Sequence, residues 1–369
     1  MYRQYASRQR EQSFGQRYKE VSSRTPHLAR ESSRPSFFSQ TAYNVLVNIE
    51  GFIGSLLVTS RHLRDFLASD IIVSYEFWFA VLSSWIPGLR RKLVYRDGAG
   101  EWMRICAMTA PFLVRLKYGV IGAKAYNRIR VIAQSELNKS LMVRSGVDRG
   151  RVSVFRHGRV DESIFHPKGT KTRKEKMEFL FVGRIAPEKG VHILLNAADQ
   201  IVNKIGVTNV KFKIVGPAAG WGFKGSTAYS NSILEGIRHH NLAKYIEVLP
   251  FTGPAELASI YSSADVLVLP SLVDAYPSVV AESMMCGTPV IGTRSGGMTE
   301  MIQDGKTGLL IEPNDVSALV NALSEFITNS QLASRMGREA FQFAQKRFSL
   351  IGASNELFQV LLTESHELN

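Results

Sequence analysis

Residues 270–300, PSLVDAYPSVVAESMMCGTPVIGTRSGGMTE, constrain the fold of this chain more tightly than any other stretch. The apolar run at 265–269 (DVLVL) reads as a buried strand leading into it. Pro270 ends that strand, because proline brings no N–H to a ladder. Asp274 falls in a turn, and Pro277 stands where a helix opens, at its first position. Val279, Val280, Ser283 and Met284 recur at helical spacing and predict a helix to about Cys286, which Gly287 closes. Val290 and Ile291 begin a second strand, and Ser295-Gly296-Gly297 turns the chain into another helix. Strand, loop and helix thus follow each other twice. Both loops fall at carboxyl ends of strands, where open α/β sheets hold their ligands.

Asp274 and Glu282 lie eight positions apart. An ionised carboxylate accepts two hydrogen bonds at once and so suits the paired hydroxyls of ribose or hexose. A Gly-Gly turn at a helix start suits phosphate, through free backbone N–H groups and the helix dipole. Either feature alone reads more simply as a surface acid or a plain turn; the combination carries the chemistry. It resembles the donor-site signature of the retaining glycosyltransferases of the GT-B fold, glycosyltransferase family 4 (glycosyl transferases group 1). That pattern is an acid, seven residues and Glu, then G-x-P-V-I and G-G-x-x-E. Here it reads Asp274, Glu282, Gly287-Thr288-Pro289-Val290-Ile291 and Gly296-Gly297-Met298-Thr299-Glu300. The family's first acid is usually Glu; here it is Asp, one methylene shorter.

A second element, Gly183-Arg184-Ile185-Ala186-Pro187-Glu188-Lys189-Gly190, follows an expected strand at 177–182 and precedes a helix from about Val191. Alone it is a turn with two solvated charges. In the family the same G-R-x-x-x-x-K-G string is the diphosphate clamp, with Arg as a planar fork and Lys as a point charge. The resemblance covers about residues 130–348, including Arg156-His157-Gly158-Arg159-Val160-Asp161, where the family carries a P-N-G-V-D-like string.

The first half resembles the family less. No copy of its Gly-Gly loop precedes Phe37, and Arg96-Asp97-Gly98 stands where a V-H-G-like string is usual. Asp97 occupies the place of that His. Asp97 and Glu101 are candidate acceptor-side acids, with solvated loop acids an equal reading. The N-terminal domain is therefore either rearranged or lacks its first strand-helix unit.

Strands alternating with helices along the chain predict α/β architecture with parallel sheets. The resemblance makes this GT-B: two Rossmann-like, doubly wound domains facing a cleft. Expected segments are a polar, poorly ordered or peripheral 1–36, an acceptor-side domain at 37–167, a hinge at 168–176, a nucleotide-sugar domain at 177–348 and a C-terminal helix at 349–369. Cys106 and Cys286 make no disulfide framework and fit a reducing compartment. No apolar run approaches the roughly 20 residues of a membrane span, and the polar start MYRQYASRQR is no secretory signal. There is no phosphate-loop string, no G-x-S-x-G elbow and no D-x-D string.

Charge is lopsided. Residues 1–178 hold 31 basic and 15 acidic side chains, against 14 and 17 in residues 179–369. Such a half points to an anionic partner, or only to a soluble surface. An anionic membrane fits the pairing of cations with apolar neighbours, and no nucleic-acid module accompanies the charge.

The resemblance implies transfer of a hexose from a nucleotide-diphosphate sugar to an acceptor hydroxyl (glycan, lipid-linked or other), with retention and without a metal or cofactor. Arg184, Lys189, Asp274 and Glu282 are the expected catalytic set. Gly183, Ala275, Tyr276, Pro277, Ser278, Gly296 and Gly297 complete the donor site, with the base against residues 250–253, Phe251 among them. Glu282 would take the ribose, Arg184, Lys189 and the Gly296-Gly297 amides the diphosphate, and Asp274 with the amides after it the sugar. The chain would be cytoplasmic, with a peripheral hold on the inner face of the cell membrane left open. The alternative is a non-catalytic or truncated nucleotide-sugar-binding relative.

Overall fold

The computed structural model describes residues 55–57, 59–60, 63–68, 72–75, 77–96, 120–156, 160–169, 175–216, 226–250, 252–329 and 331–352, with 355 and 359. Two parallel sheets form, each with its own core. The expected polar segment 1–36 and the start of the acceptor-side domain expected at 37–167 lie outside the described residues.

The first sheet has the order β1-β2-β3-β4, from Ile72–Ser74, Leu93–Arg96, Arg130–Ala133 and Val152–Val154. The strands are short, and the inner two, β2 and β3, are buried along nearly their whole length, as a sheet covered on both faces requires. Helices α1 (Phe77–Ser83), α2 (Pro87–Arg90), α3 (Ala123–Tyr126) and α4 (Glu136–Arg144) flank it. Phe77, Leu89, Leu93, Tyr95 and Tyr126 are buried between these layers, with the Tyr95 and Tyr126 rings stacked at 5.0 Å. Pro87 opens α2, because proline is suited to a first helical turn. In α4, the Ser135 hydroxyl accepts from the Asn138 amide as an N-cap.

The second sheet has the order β10-β9-β8-β5-β6-β7. Its strands are β5 (Met177–Val182), β6 (Val210–Val215), β7 (Ile246–Leu249), β8 (Val266–Leu269), β9 (Val290–Thr293) and β10 (Gly308–Ile311). This is the doubly wound order in which direction of winding reverses between β5 and β8, so the ligand crevice is expected between those two strand ends. Covering helices are α5 (Val191–Asp199), α6 (Ser226–His239), α7 (Pro254–Ser263), α8 (Ser278–Met285), α9 (Met298–Met301), α10 (Val316–Thr328) and α11 (Leu332–Arg347). Pro277 is the residue before α8 rather than its first. Its ψ of 118° is extended, as a cap position outside the helix requires.

Val160 and Phe165, counted with the first domain by sequence, pack into the core of the second. The segment that holds them is joined by residues 348–350, at the end of α11. Val160 donates to the Phe348 carbonyl at 2.9 Å, Val160 and Ser349 form a parallel bridge, and the Leu350 amide donates to the Glu162 carboxylate at 2.9 Å.

Helix α11 lies against α8 through two glycines. A Cβ on Gly337 would collide with the Gly287 carbonyl oxygen, a backbone atom that cannot swing aside. Gly337→Ala should therefore lose more in overpacking, about 1–3 kcal/mol, than the roughly 1 kcal/mol of helix propensity it gains. Denaturant unfolding should show a lower midpoint than wild type; a higher midpoint would mean that the two helices are not held at this spacing.

Candidate active site

The loop after β5 and the loop after β8 meet because their backbones touch. Gly190 has a left-handed φ of 70°, and a Cβ there would collide with the Pro270 carbonyl. The Leu272 amide donates to the Glu188 carbonyl at 2.8 Å, tying the loops a second time. Held in this way, Lys189 Nζ and Asp274 Oδ2 form an ion pair at 2.5 Å, although 85 residues separate them. Lys189 is 19% and Asp274 11% exposed, so solvent screens the pair only in part. Arg184 pairs along its own loop with Glu188 at 3.0 Å, at the more exposed rim.

Beside this pair lies a cavity of about 510 Å³. Gly183, Arg184, Ser278 and Glu282 border it, and Phe165, Val182, Val215, Pro254, Leu257 and Val279 supply an apolar wall. Gly216 also lines it; a Cβ there would strike the Gly183 carbonyl, so the ends of β5 and β6 close the floor backbone to backbone. Lys189 and Asp274 are not among the lining residues. The cavity therefore offers an apolar wall with one carboxylate, and the cation-acid pair stands outside it.

Glu282 projects from the first turns of α8. Burial pushes its carboxyl above the ordinary glutamate range, while hydrogen bonds from Tyr261 and Ser278 oppose that shift. The Tyr261 hydroxyl donates to Glu282 Oε2 at 2.9 Å. Tyr261 is fully buried in α7, and desolvation, followed by the nearby Glu282, holds its own hydroxyl well above the usual tyrosine range. One carboxylate oxygen is thus committed to a fixed donor. Nothing in the sequence marked Tyr261, since a tyrosine in a helix facing a core has no motif.

The Gly296-Gly297 turn sits against the Asp274 loop. Gly297 donates its amide to the Asp274 carbonyl at 3.2 Å, and a Cβ on Gly297 would approach the Tyr276 ring to 2.5 Å. The amide of Gly297 is therefore engaged within the protein, and its glycine is required by close contact. Gly296 takes the left-handed turn, φ 59°. Ser271, at the start of the same loop, is fully buried, and its carbonyl accepts from the Thr293 hydroxyl at 2.6 Å and the Ser295 hydroxyl at 3.2 Å. The Tyr276 side chain turns into the protein, where burial pushes its hydroxyl up to about 12. Pro277 has no amide hydrogen, so the N–H groups of this turn are those of Ala275, Tyr276 and Ser278.

In the first domain, Arg96 ends β2 and is buried. It donates to the Tyr75 hydroxyl at 2.6 Å and lies 5.2 Å from the centroids of both the Tyr75 and Phe155 rings. Asp97, Glu101 and Phe251 lie outside the described residues. Among the described residues, no three His, Cys, Asp or Glu side chains gather as metal ligands.

The raised carboxyl of Glu282 has a sign for stability. A folded-state value above the unfolded one gives stability that is complete below the ordinary glutamate range and lost as pH rises through the raised value. Glu282→Gln removes that loss. The variant should melt above wild type near pH 8 and lose its advantage at about pH 4. A variant that melts below wild type at alkaline pH would show that the charged form is favoured by the fold.

Residues 163–343 match the family model described as "Glycosyl transferases group 1". The D-inositol 3-phosphate glycosyltransferase of Paenarthrobacter aurescens is 30% identical over 207 residues, 54% of this chain and 49% of the relative. That of Corynebacterium efficiens is 28% identical over 62% of this chain and 54% of its own length. The chain thus spans about half the length of the curated relatives it matches. Sucrose-phosphate synthase from Thermosynechococcus elongatus superposes with a TM-score of 0.73 at 20% identity, over 85% of this chain and 78% of that one. Anabaena HepE in complex with UDP-glucose gives 0.68 at 20% identity, over 84% and 82%. The fold is GT-B, and the Lys189–Asp274 pair and Glu282 lie within the residues that match the group 1 glycosyltransferase model.

Proposed function

We propose that the protein transfers a hexose from a nucleotide-diphosphate sugar to an acceptor hydroxyl, with retention and without a metal. The observation that carries this reading is the meeting of Lys189 with Asp274 at 2.5 Å beside a cavity bordered by Arg184 and Glu282. The nucleoside fits the cavity, its base against the apolar wall and its ribose hydroxyls donating to the Glu282 oxygen that Tyr261 leaves open. The diphosphate then lies at the end of β5, where Arg184 and Lys189 offset the charge that grows as the glycosidic bond breaks. With Gly297 engaged by Asp274, the Gly296 amide is the one left to the phosphate. Before the donor arrives, Asp274 neutralises Lys189. The arriving diphosphate shares that cation, and the second oxygen of Asp274 accepts from a sugar hydroxyl. The acceptor hydroxyl attacks from the face the diphosphate leaves, and the departing phosphate oxygen takes its proton. HepE, a fold neighbour, is crystallised with UDP-glucose, which makes uridine donors the first to test.

Glu282→Ala and Lys189→Ala should each abolish most turnover while leaving the fold intact. A lost charge-assisted contact is worth on the order of 1.5–3 kcal/mol, more where it strengthens in the transition state. Release of UDP from UDP-sugars in the presence of acceptor panels measures this, and addition of EDTA should change nothing. Near wild-type turnover in either variant would remove the site assignment, and EDTA inhibition reversed by Mg²⁺ would hand the leaving-group charge to a metal. Binding without any turnover would favour the non-catalytic alternative.

A peripheral hold on an anionic membrane is supported by one surface of the first domain. Trp85, between α1 and α2, is 61% exposed, and the exposed Arg128 guanidinium lies 3.7 Å from the centre of its ring. Arg91 is exposed just beyond α2. An aromatic paired with cations suits the headgroup region, each cation contributing about 1 kcal/mol near the surface. No helix among the described residues is long and apolar enough to cross a membrane. The protein should sediment with vesicles containing acidic phospholipid at low salt and release as salt rises, with Trp85→Ser weakening the association. Equal recovery in the supernatant with acidic and neutral vesicles would leave the charge to solubility alone.

A further inference from the structure

Glu300, the last residue of the G-G-x-x-E string, reaches out of its own domain. Its Oε2 accepts from Arg156 Nε at 3.0 Å. Its Oε1 accepts from the Glu136 amide at 2.8 Å and lies 3.4 Å from the Leu137 amide. Those are the first two amides of α4 in the first domain. Ser135 takes the third, so of these three amides of the opening turn of α4 two are capped by the other domain and one by its own. Arg156 also reaches the Glu136 carboxylate at 3.4 Å, closing the cluster. Glu300 is 17% exposed and Arg156 27%, so the link is shielded from solvent in part.

The other end of Glu300 is joined to the donor site. Its amide donates to the Gly297 carbonyl at 3.0 Å, and Gly297 donates to the Asp274 carbonyl. Gly297 also has no space for a Cβ against Ala275 and Tyr276. A displacement of α4 is therefore passed through Glu300 and Gly297 to the loop that carries Asp274, by hydrogen bonds and hard contact at each step. Tyr276 lies within the field of Arg347, Glu300 and Arg156.

We propose that Glu300 is a positioning residue: a strut that sets the acceptor-side domain against the Asp274 loop. This rests on the donor site proposed above. It goes beyond it by assigning Glu300 a role in presenting the acceptor, with no contact to nucleotide or sugar. The nucleoside diphosphate is held chiefly by the side chains of Arg184, Lys189 and Glu282, none of which Glu300 contacts, and only the Gly296 amide adjoins the strut, so its binding and the transfer step should separate on mutation.

The test uses the full chain, with Glu300→Ala removing the charge and the cap, and Glu300→Gln keeping an oxygen for the α4 amides while losing the ion pair. In the ligand-free protein, hydrogen exchange should quicken at the amides of 136 and 137 in Glu300→Ala and remain closer to wild type in Glu300→Gln. UDP titrated by calorimetry should bind both variants within about twofold of wild type, while kcat with a UDP-sugar falls at least about tenfold in Glu300→Ala, as misplacement of reacting groups predicts. Unchanged exchange at 136 and 137, unchanged kcat, or loss of UDP binding in proportion to kcat would each overturn the strut. If wild type neither binds UDP nor turns over any donor, the proposed function fails on its own. The exchange measurement, which needs no ligand, then decides whether the strut exists.

Discussion

Two backbones in contact hold the rest of this site in place. Gly190 lies against the Pro270 carbonyl, and only a residue without a Cβ can stand there. That contact lies where β5 and β8 are neighbours in the sheet, at the reversal of the winding. The parallel pairing brings the strand ends side by side, and the glycine then lets the loops close on each other. The Lys189–Asp274 pair is the outcome. With the backbones already fixed, pairing costs only the rotamer freedom of the two side chains and no further backbone entropy. Asp274 is one methylene shorter than the glutamate usual at this place in family 4, and the short side chain still reaches Lys189 because the loops are so close.

Burial then divides the acids of the site by role. Asp274 has a cation as its partner, whereas Glu282 has a buried tyrosine hydroxyl and a serine. A carboxylate facing only neutral donors at the edge of an apolar cavity is held at a loss to the fold. Such a loss is what the role proposed for Glu282, a preformed acceptor of ribose hydroxyls, requires, because the ligand's own donors would complete the set on binding.

Much of the second domain was legible in its amino-acid order. Strands β5, β6 and β10 fall where the apolar runs end in turns, and the acid, clamp and Gly-Gly elements land at carboxyl strand ends as expected. What could not be read was pairing between distant side chains. Tyr261 has no motif because its role depends on α7 packing beside α8, a tertiary fact. Glu300 stood inside a recognised string, yet its partners are Arg156 and two backbone amides 163 and 164 residues away. Gly297 was read as a phosphate donor from its place before a helix, but its amide is turned to Asp274 by a contact that only the folded loop creates. Pro277 shows the limit of local rules by one residue: ring geometry suits both the position before a helix and the first within it.

The lacing of segment 160–165 to the end of α11 carries a mechanical consequence. Val160 and Glu162 are hydrogen-bonded to residues 348–350 of the later chain. A lone covalent thread leaving a domain would swivel at its root. Here the root is stitched to the last helix of the second domain, so the thread leaves that domain at a fixed point and in a fixed direction.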